Sequence, residues 1–181
     1  MKKIFSLLCL ILVAASVSAQ QLPDVKVETA QGKIVSVREL LNGKPMIISY
    51  WSIACKPCIQ ELNAINDALA DWRTEADFEV MAVSVDDSRL KASAKAIANS
   101  RGWEFICVYD ENQDLKRAMN VSLTPQSFVV DGEGNIIFSH SGYTPGSEQL
   151  LFDKIVAHNY YVDLSQKLWD VKHGLLNQRK H

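Results

Sequence analysis

The chain has 181 residues, 48% of them apolar and 22% charged, with a formal net charge of −2. That is room for one packed domain and little more. The longest basic cluster is the short run Gln178-Arg179-Lys180-His181 at the very end, which excludes the basic face or stripe of a nucleic-acid-binding protein.

Met1-Lys2-Lys3 is a positive start, followed by an apolar run from Ile4 to Val17 and small residues at Val17-Ser18-Ala19. Residues 1–19 therefore read as a signal peptide cleaved before Gln20. An uncleaved membrane anchor is the alternative, and the apolar run is short for a span. An exported protein works where disulfides persist. Removal of the leader takes Cys9 with it and leaves Cys55, Cys58 and Cys107. Three cysteines, two of them three residues apart, do not make a disulfide-stapled scaffold. They make one reactive pair and one bystander.

In chain order, Val25–Glu28 and Ile34–Val37 alternate at period two around Gln31-Gly32 and predict a hairpin. A short helical turn over Arg38–Leu41 ends at Asn42-Gly43. Met46–Trp51 is nearly all apolar, as a strand covered on both faces would be. Cys55-Lys56-Pro57-Cys58 then opens a long helix, whose apolar face is Cys58, Leu62, Ile65, Leu69 and Trp72. Phe78–Val85 is a second central strand. Leu90, Ala94 and Ile97 mark a helix stopped at Arg101-Gly102, and Phe105–Tyr109 a third strand. A short helix spans Leu115–Met119. Thr124-Pro125 precedes the strand Phe128–Val130, and the turn Asp131–Gly134 leads to Ile136–Phe138. Leu150–Val156 begins a last helix. Beyond it, Leu164, Leu168, Val171 and Leu175 keep helical spacing, with Gly174 interrupting. We expect a domain over 20–160 and a helical extension over 161–181 packed on it, with a dimer or partner surface as the alternative. Strands alternating with helices argue an α/β fold with a central sheet.

A strand, a turn, Cys-x-x-Cys and a helix together form a chemical device. Cys55 stands at a helix N-terminus, where free N–H groups and the macrodipole favour an anion. That lowers the thiol pKa, and the thiolate is the nucleophile. Pro57 suits the first turn because its missing N–H is not needed there. Lys56 adds a positive charge beside the sulfur. Cys58 lies on the apolar stripe and should be more buried. Cys55 is thus the candidate attacking residue and Cys58 the resolving one. Two other readings are weaker: a loop this short is a poor structural staple, and half a zinc site would need two more ligands. Cys107, alternating with apolar neighbours in a strand, reads as core.

The segment Tyr50-Trp51-Ser52-Ile53-Ala54-Cys55-Lys56-Pro57-Cys58-Ile59-Gln60-Glu61-Leu62 resembles the active-site stretch of the TlpA/ResA-like thiol–disulfide oxidoreductases, a thioredoxin-like group of bacterial envelope proteins. The similarity runs from about Leu22 to His158 and includes the hairpin, Asn42-Gly43-Lys44-Pro45, Thr124-Pro125 and the Asp131–Asn135 turn. It implies a thioredoxin-like fold: a four- to five-stranded mixed sheet flanked by helices, here with an N-terminal hairpin and an extra C-terminal helix. It also implies that Pro125 is cis and faces the Cys-x-x-Cys loop. Substrate would then bind at Trp51, Thr124 and Pro125, pairing with the backbone near Thr124 as an added strand. Asp87 matches an acidic residue near the cysteines of ResA-like proteins, and could move a proton for the buried thiol. A solvated helix cap is the other reading of Asp87, with Asp86 as a competing candidate. Two positions depart from the pattern. Ala54 replaces a tryptophan before the first cysteine, and Ser49 replaces the buried aspartate of thioredoxin.

The expected function is exchange of electrons with protein thiols and disulfides in the periplasm or another extracytoplasmic space. The dithiol itself carries the two electrons, so neither cofactor nor metal is implied. An electron donor in the membrane or envelope completes the expected partners. Direction is open: Lys56 favours the oxidising side, and the resemblance favours a reductant. The competing functions are a thiol peroxidase of the same fold and a non-catalytic binding module. Ser52 lies three before Cys55, but Ile48 stands where peroxiredoxins carry proline, which counts against the peroxidase.

Overall fold

The computed structural model describes residues 20–178, with side chains through His173. The expected signal peptide lies outside the described residues. Seven strands form one mixed sheet: β1 Lys26–Thr29, β2 Ile34–Ser36, β3 Met46–Trp51, β4 Glu79–Ser84, β5 Ile106–Tyr109, β6 Gln126–Val130 and β7 Ile136–Ser141. Their order is β2-β1-β5-β4-β3-β6-β7. The neighbours β3, β4 and β5 run parallel, and the other pairings are antiparallel. The run β5-β4-β3-β6-β7 is the expected five-stranded sheet. The sheet widens to seven because β1 pairs with the free edge of β5, matching Glu28 to Tyr109, and so carries the whole hairpin into the sheet.

Four α-helices follow the strands: α1 Lys56–Glu75, α2 Lys91–Arg101, α3 Asp114–Ala118 and α4 Glu148–Gln178. The turn expected after the hairpin is a 3-10 helix over Val37–Leu40, capped by Ser36 and Glu39 in a reciprocal box. All six residues of β3 are buried. Side chains alternate along a strand, so Met46, Ile48 and Tyr50 enter one core with Val27, Met81, Val108 and Leu115. Ile47 and Trp51 enter the other, under α1, α2 and α4. Leu62, Ile65 and Leu69 of α1 are wholly or almost wholly buried there, each contributing about 1.5–3 kcal/mol.

Two helices depart from expectation. In α2 the buried residues are Ala94 and Ala98, while Leu90 sits before the first turn, 41% exposed. Small side chains let this helix lie close to the sheet. The C-terminal extension is not a separate packed helix. α4 is one helix of 31 residues running through both Tyr160 and position 174. Its Leu151, Phe152 and Ile155 are buried, and from Tyr160 to Lys172 every residue is exposed. The helical spacing holds, but an apolar stripe does not specify what it packs against.

Candidate active site

β3 runs through the core toward the start of α1 and delivers the four residues Ser52–Cys55 just past its C-terminal end. Cys55 caps α1: its sulfur accepts from the Cys58 N–H at 3.3 Å, and Pro57 occupies the first turn. Cys55 and Cys58 are joined as a disulfide, with their Cα atoms 5.3 Å apart. Cys55 is half-buried, Lys56 and Pro57 are exposed, and Cys58 is fully buried. One sulfur thus faces solvent and the other lies among Trp51, Leu62 and Trp103.

The buried face of α1 that carries Cys58 also carries a residue that the sequence reading passed over. Glu61, one turn after Cys58, is 1% exposed. Its Oε2 accepts from Ser49 Oγ at 2.8 Å and from Ser127 Oγ at 3.0 Å, while Oε1 has no partner. Burial pushes the Glu61 carboxyl up from the usual carboxylate range, against the pull of the two serines. The acid missing from strand position 49 is therefore supplied by the helix above it, with Ser49 as its ligand. The signal was a charged residue beside Leu62 on the apolar stripe, which an unpaired carboxylate does not enter without cause.

Asp87 does not reach the cysteines. It sits at the start of α2, half-exposed, bonded to Arg89 at 2.5 Å and accepting from the Arg89 and Leu90 N–H groups. The Arg89 guanidinium holds its carboxyl low. Nor is Asp87 the helix cap of the alternative reading: the cap of α2 is Leu90, without a side-chain bond, and Asp87 closes the turn just before it. Asp86 is the carboxylate that touches the loop. It is buried, accepts from the Ile53 N–H at 3.1 Å and from Ser84 Oγ at 2.9 Å, and burial raises its pKa.

Trp51 is also displaced from its expected role. It is 1% exposed and packs edge-on to Trp103 at 5.0 Å, so it supports the loop from below and offers substrate no surface. The Thr124–Pro125 bond is cis. β6 begins at Gln126 opposite Tyr50, which puts Thr124 and Pro125 at the Cys55 end of the sheet. Pro125 is buried and Thr124 half-buried. Leu123 beside them is 81% exposed, a feature not singled out from sequence. Cys107 is half-buried opposite Ala82, and burial pushes its thiol up to about 11, so it is inert at neutral pH.

The family model for AhpC/TSA matches residues 18–139. The chain belongs to the AhpC/TSA family. Among relatives, it is 25% identical over 118 residues to the thiol-disulfide oxidoreductase ResA of Bacillus anthracis, covering 65% of this chain and 66% of ResA. It is 28% identical over 134 residues to the thiol:disulfide interchange protein DsbE of Tatumella citrea, covering 72% and 69%. The chain thus spans about two thirds of the length of these curated relatives. An uncharacterized thioredoxin-like protein of Porphyromonas gingivalis has a solution structure that matches at 45% identity and a TM-score of 0.67, covering 74% of this chain and 88% of that one. Peroxiredoxin Q of Xanthomonas campestris shares the fold at 18% identity and a TM-score of 0.63, over 76% of this chain and 96% of that one. The thioredoxin-like architecture of this AhpC/TSA member agrees with these neighbours.

Proposed function

We propose that this protein is an extracytoplasmic thiol–disulfide oxidoreductase acting on protein thiols and disulfides, running as a reductant. The observation that carries the reading is the Cys55–Cys58 disulfide at the start of α1, one sulfur half-exposed and the other buried one turn from a carboxyl of raised pKa. The ResA and DsbE names of its relatives support it.

In the reduced protein the Cys55 thiolate attacks one sulfur of a substrate disulfide. A mixed disulfide forms and the first substrate thiolate leaves, taking a proton from water. Cys58 then loses its proton and attacks Cys55 Sγ, which releases the second substrate thiolate and restores the Cys55–Cys58 bond. Glu61 accepts the Cys58 proton, because its raised pKa brings carboxyl and thiol closer in basicity. Asp86 holds the Ile53 N–H and with it the loop that aims Cys55. An extended substrate segment lies along Thr124, with the exposed Leu123 against its side chains. An envelope donor returns two electrons to the disulfide. Residues 1–19, as a signal peptide, put the chain outside the cytoplasm; among the described residues no helix is long and apolar enough to cross a membrane.

The test is equilibration in graded dithiothreitol buffers, with free thiols trapped by alkylation and weighed. A Cys55–Cys58 potential near the thioredoxin value of about −270 mV supports the reductant. A value near about −120 mV makes the protein a disulfide donor, and a pair that never cycles sinks the redox reading. Cys58→Ser should accumulate a mixed disulfide with substrate through Cys55. The AhpC/TSA family and the peroxiredoxin neighbour favour a second reading, thiol peroxidase. Stoichiometric peroxide consumption dependent on Cys55 would select it.

A further inference from the structure

α4 carries two apolar faces. Leu151, Phe152 and Ile155 pack against Trp72 and Phe78, with Trp72 stacked on Phe152 at 4.6 Å. A second stripe follows a seven-residue repeat. Leu150, Ala157, Leu164 and Val171 stand seven apart, and Tyr161 and Leu168 fall between them at the alternating three- and four-residue steps of a coiled-coil seam. All six are exposed, Tyr161 by 71%, Leu168 by 63% and Val171 by 60%. At about 100° per residue the seam lies on the opposite side of the helix from the face buried in the domain. The chain's own domain therefore cannot cover it.

We infer that this seam pairs with the same seam of a second copy, forming an antiparallel two-helix homodimer through α4. The seam runs about 30 Å, at about 1.5 Å per residue, long enough for three heptads. Lys154, the polar residue in the repeat, has its ammonium over the Phe138 ring at 5.1 Å and is thereby turned toward its own sheet. Charge at the flanks sets the orientation. In a parallel pair Lys167 would meet Lys172 of the other copy. An antiparallel pair centred between Ala157 and Tyr161 instead brings Lys167 to Asp153 of the other copy, twice over by symmetry. Lys167 now bonds Asp163 at 2.7 Å within its own helix, and its flexible stem can serve both. Because each domain sits on the far side of its helix, the two bodies do not collide. A self-complementary patch of this kind closes as a two-fold dimer.

The experiment is sedimentation equilibrium of the mature chain, thiols blocked, from about 1 μM to about 1 mM, the range of weak to moderate dimers. We expect a mass moving to twice that of the chain. The double variant Leu164→Glu/Leu168→Glu should stay monomeric with an unchanged near-UV spectrum. Lys167→Asp should weaken the dimer about tenfold, and Asp153→Lys with Lys167→Asp should restore it. A wild-type chain that stays monomeric throughout overturns the proposal, as does a dimer that survives the two glutamates. Tighter association on Lys167→Asp alone overturns the antiparallel orientation. A monomer that instead co-sediments with phosphatidylglycerol vesicles through the same residues assigns the seam to a membrane surface and overturns the dimer.

Discussion

At the residue scale the proposed chemistry depends on where two buried carboxyls, those of Glu61 and Asp86, are held. Cys55, Cys58, Lys56 and Pro57 are sequence neighbours, and their spacing already carries their geometry. Glu61 and Asp86 are placed by contacts with Ser127, 66 positions away, and Ile53, 33 positions away, which no local pattern encodes. Asp87 misled because it neighbours Asp86, yet its carboxylate is taken up by Arg89 and Leu90 while that of Asp86 holds Ile53 and Ser84. Glu61→Gln keeps the shape and both serine partners but cannot take a proton. Reduction of a substrate disulfide should slow by about 10²-fold at pH 7, and the gap should close as pH passes the ordinary thiol value of about 8.5. An unchanged pH–rate profile would remove Glu61 from the mechanism. Stability gives an independent reading. Burial raises the Glu61 pKa in the fold, so its contribution is complete below the unfolded value of about 4.3 and is lost as pH rises through the folded value. The melting temperature of Glu61→Gln should fall less than that of the parent as pH rises from about 4. Lys56 tests the other sulfur. Lys56→Glu destabilises the Cys55 thiolate and with it the reduced state, so the potential should become more negative by about 10–30 mV. A shift toward oxidising values would show that the charge at position 56 does not act through the thiolate.

At the element scale most of the fold was readable. β3, with six consecutive buried residues, and α1, with a 3.6-residue stripe, were placed within two or three residues, because their burial pattern is written in their own side chains. The joining of the hairpin to β5 was not readable. It depends on a free sheet edge and on Glu28, which two residues of α2 hold, Lys91 at 2.5 Å and Lys95 at 2.7 Å. Turns divide in the same way. The Asp131–Gly134 cluster announced a turn, but not that it presses on the 42–43 loop before β3. A Cβ on Gly132 would stand 2.3 Å from the Gly43 carbonyl oxygen, closer than packed backbone permits. Gly132→Ala should therefore cost about 1–3 kcal/mol, lowering the melting temperature by roughly 2–4 °C per kcal/mol. Calorimetry of the oxidised protein measures this directly. A loss of under a degree would mean that the two turns separate freely.

At the scale of the whole molecule, the protein is a redox domain with a helix that outruns it. Among the residues of α4 whose side chains are described, every buried one lies at or before Ile155, so the domain's own stability should not need the exposed turns beyond His158. The i,i+4 pairs Asp163–Lys167 and Gln166–Asp170 give the projecting part only about 0.2–0.5 kcal/mol each. Isolated helices of this length are marginal in water, so pairing of the seam would be the main source of order beyond the domain. Deleting residues 160–181 separates the two contributions. Disulfide reductase activity should be retained within about twofold, since Cys55, Glu61 and Asp86 are held by β3, α1 and β4. The melting temperature of the intact protein should rise with concentration, as association with the native state requires, and that of the truncated protein should not. If truncation abolishes activity while the domain stays folded, α4 positions substrate as well as subunits. If both proteins melt independently of concentration, the projecting helix is held by its own backbone alone.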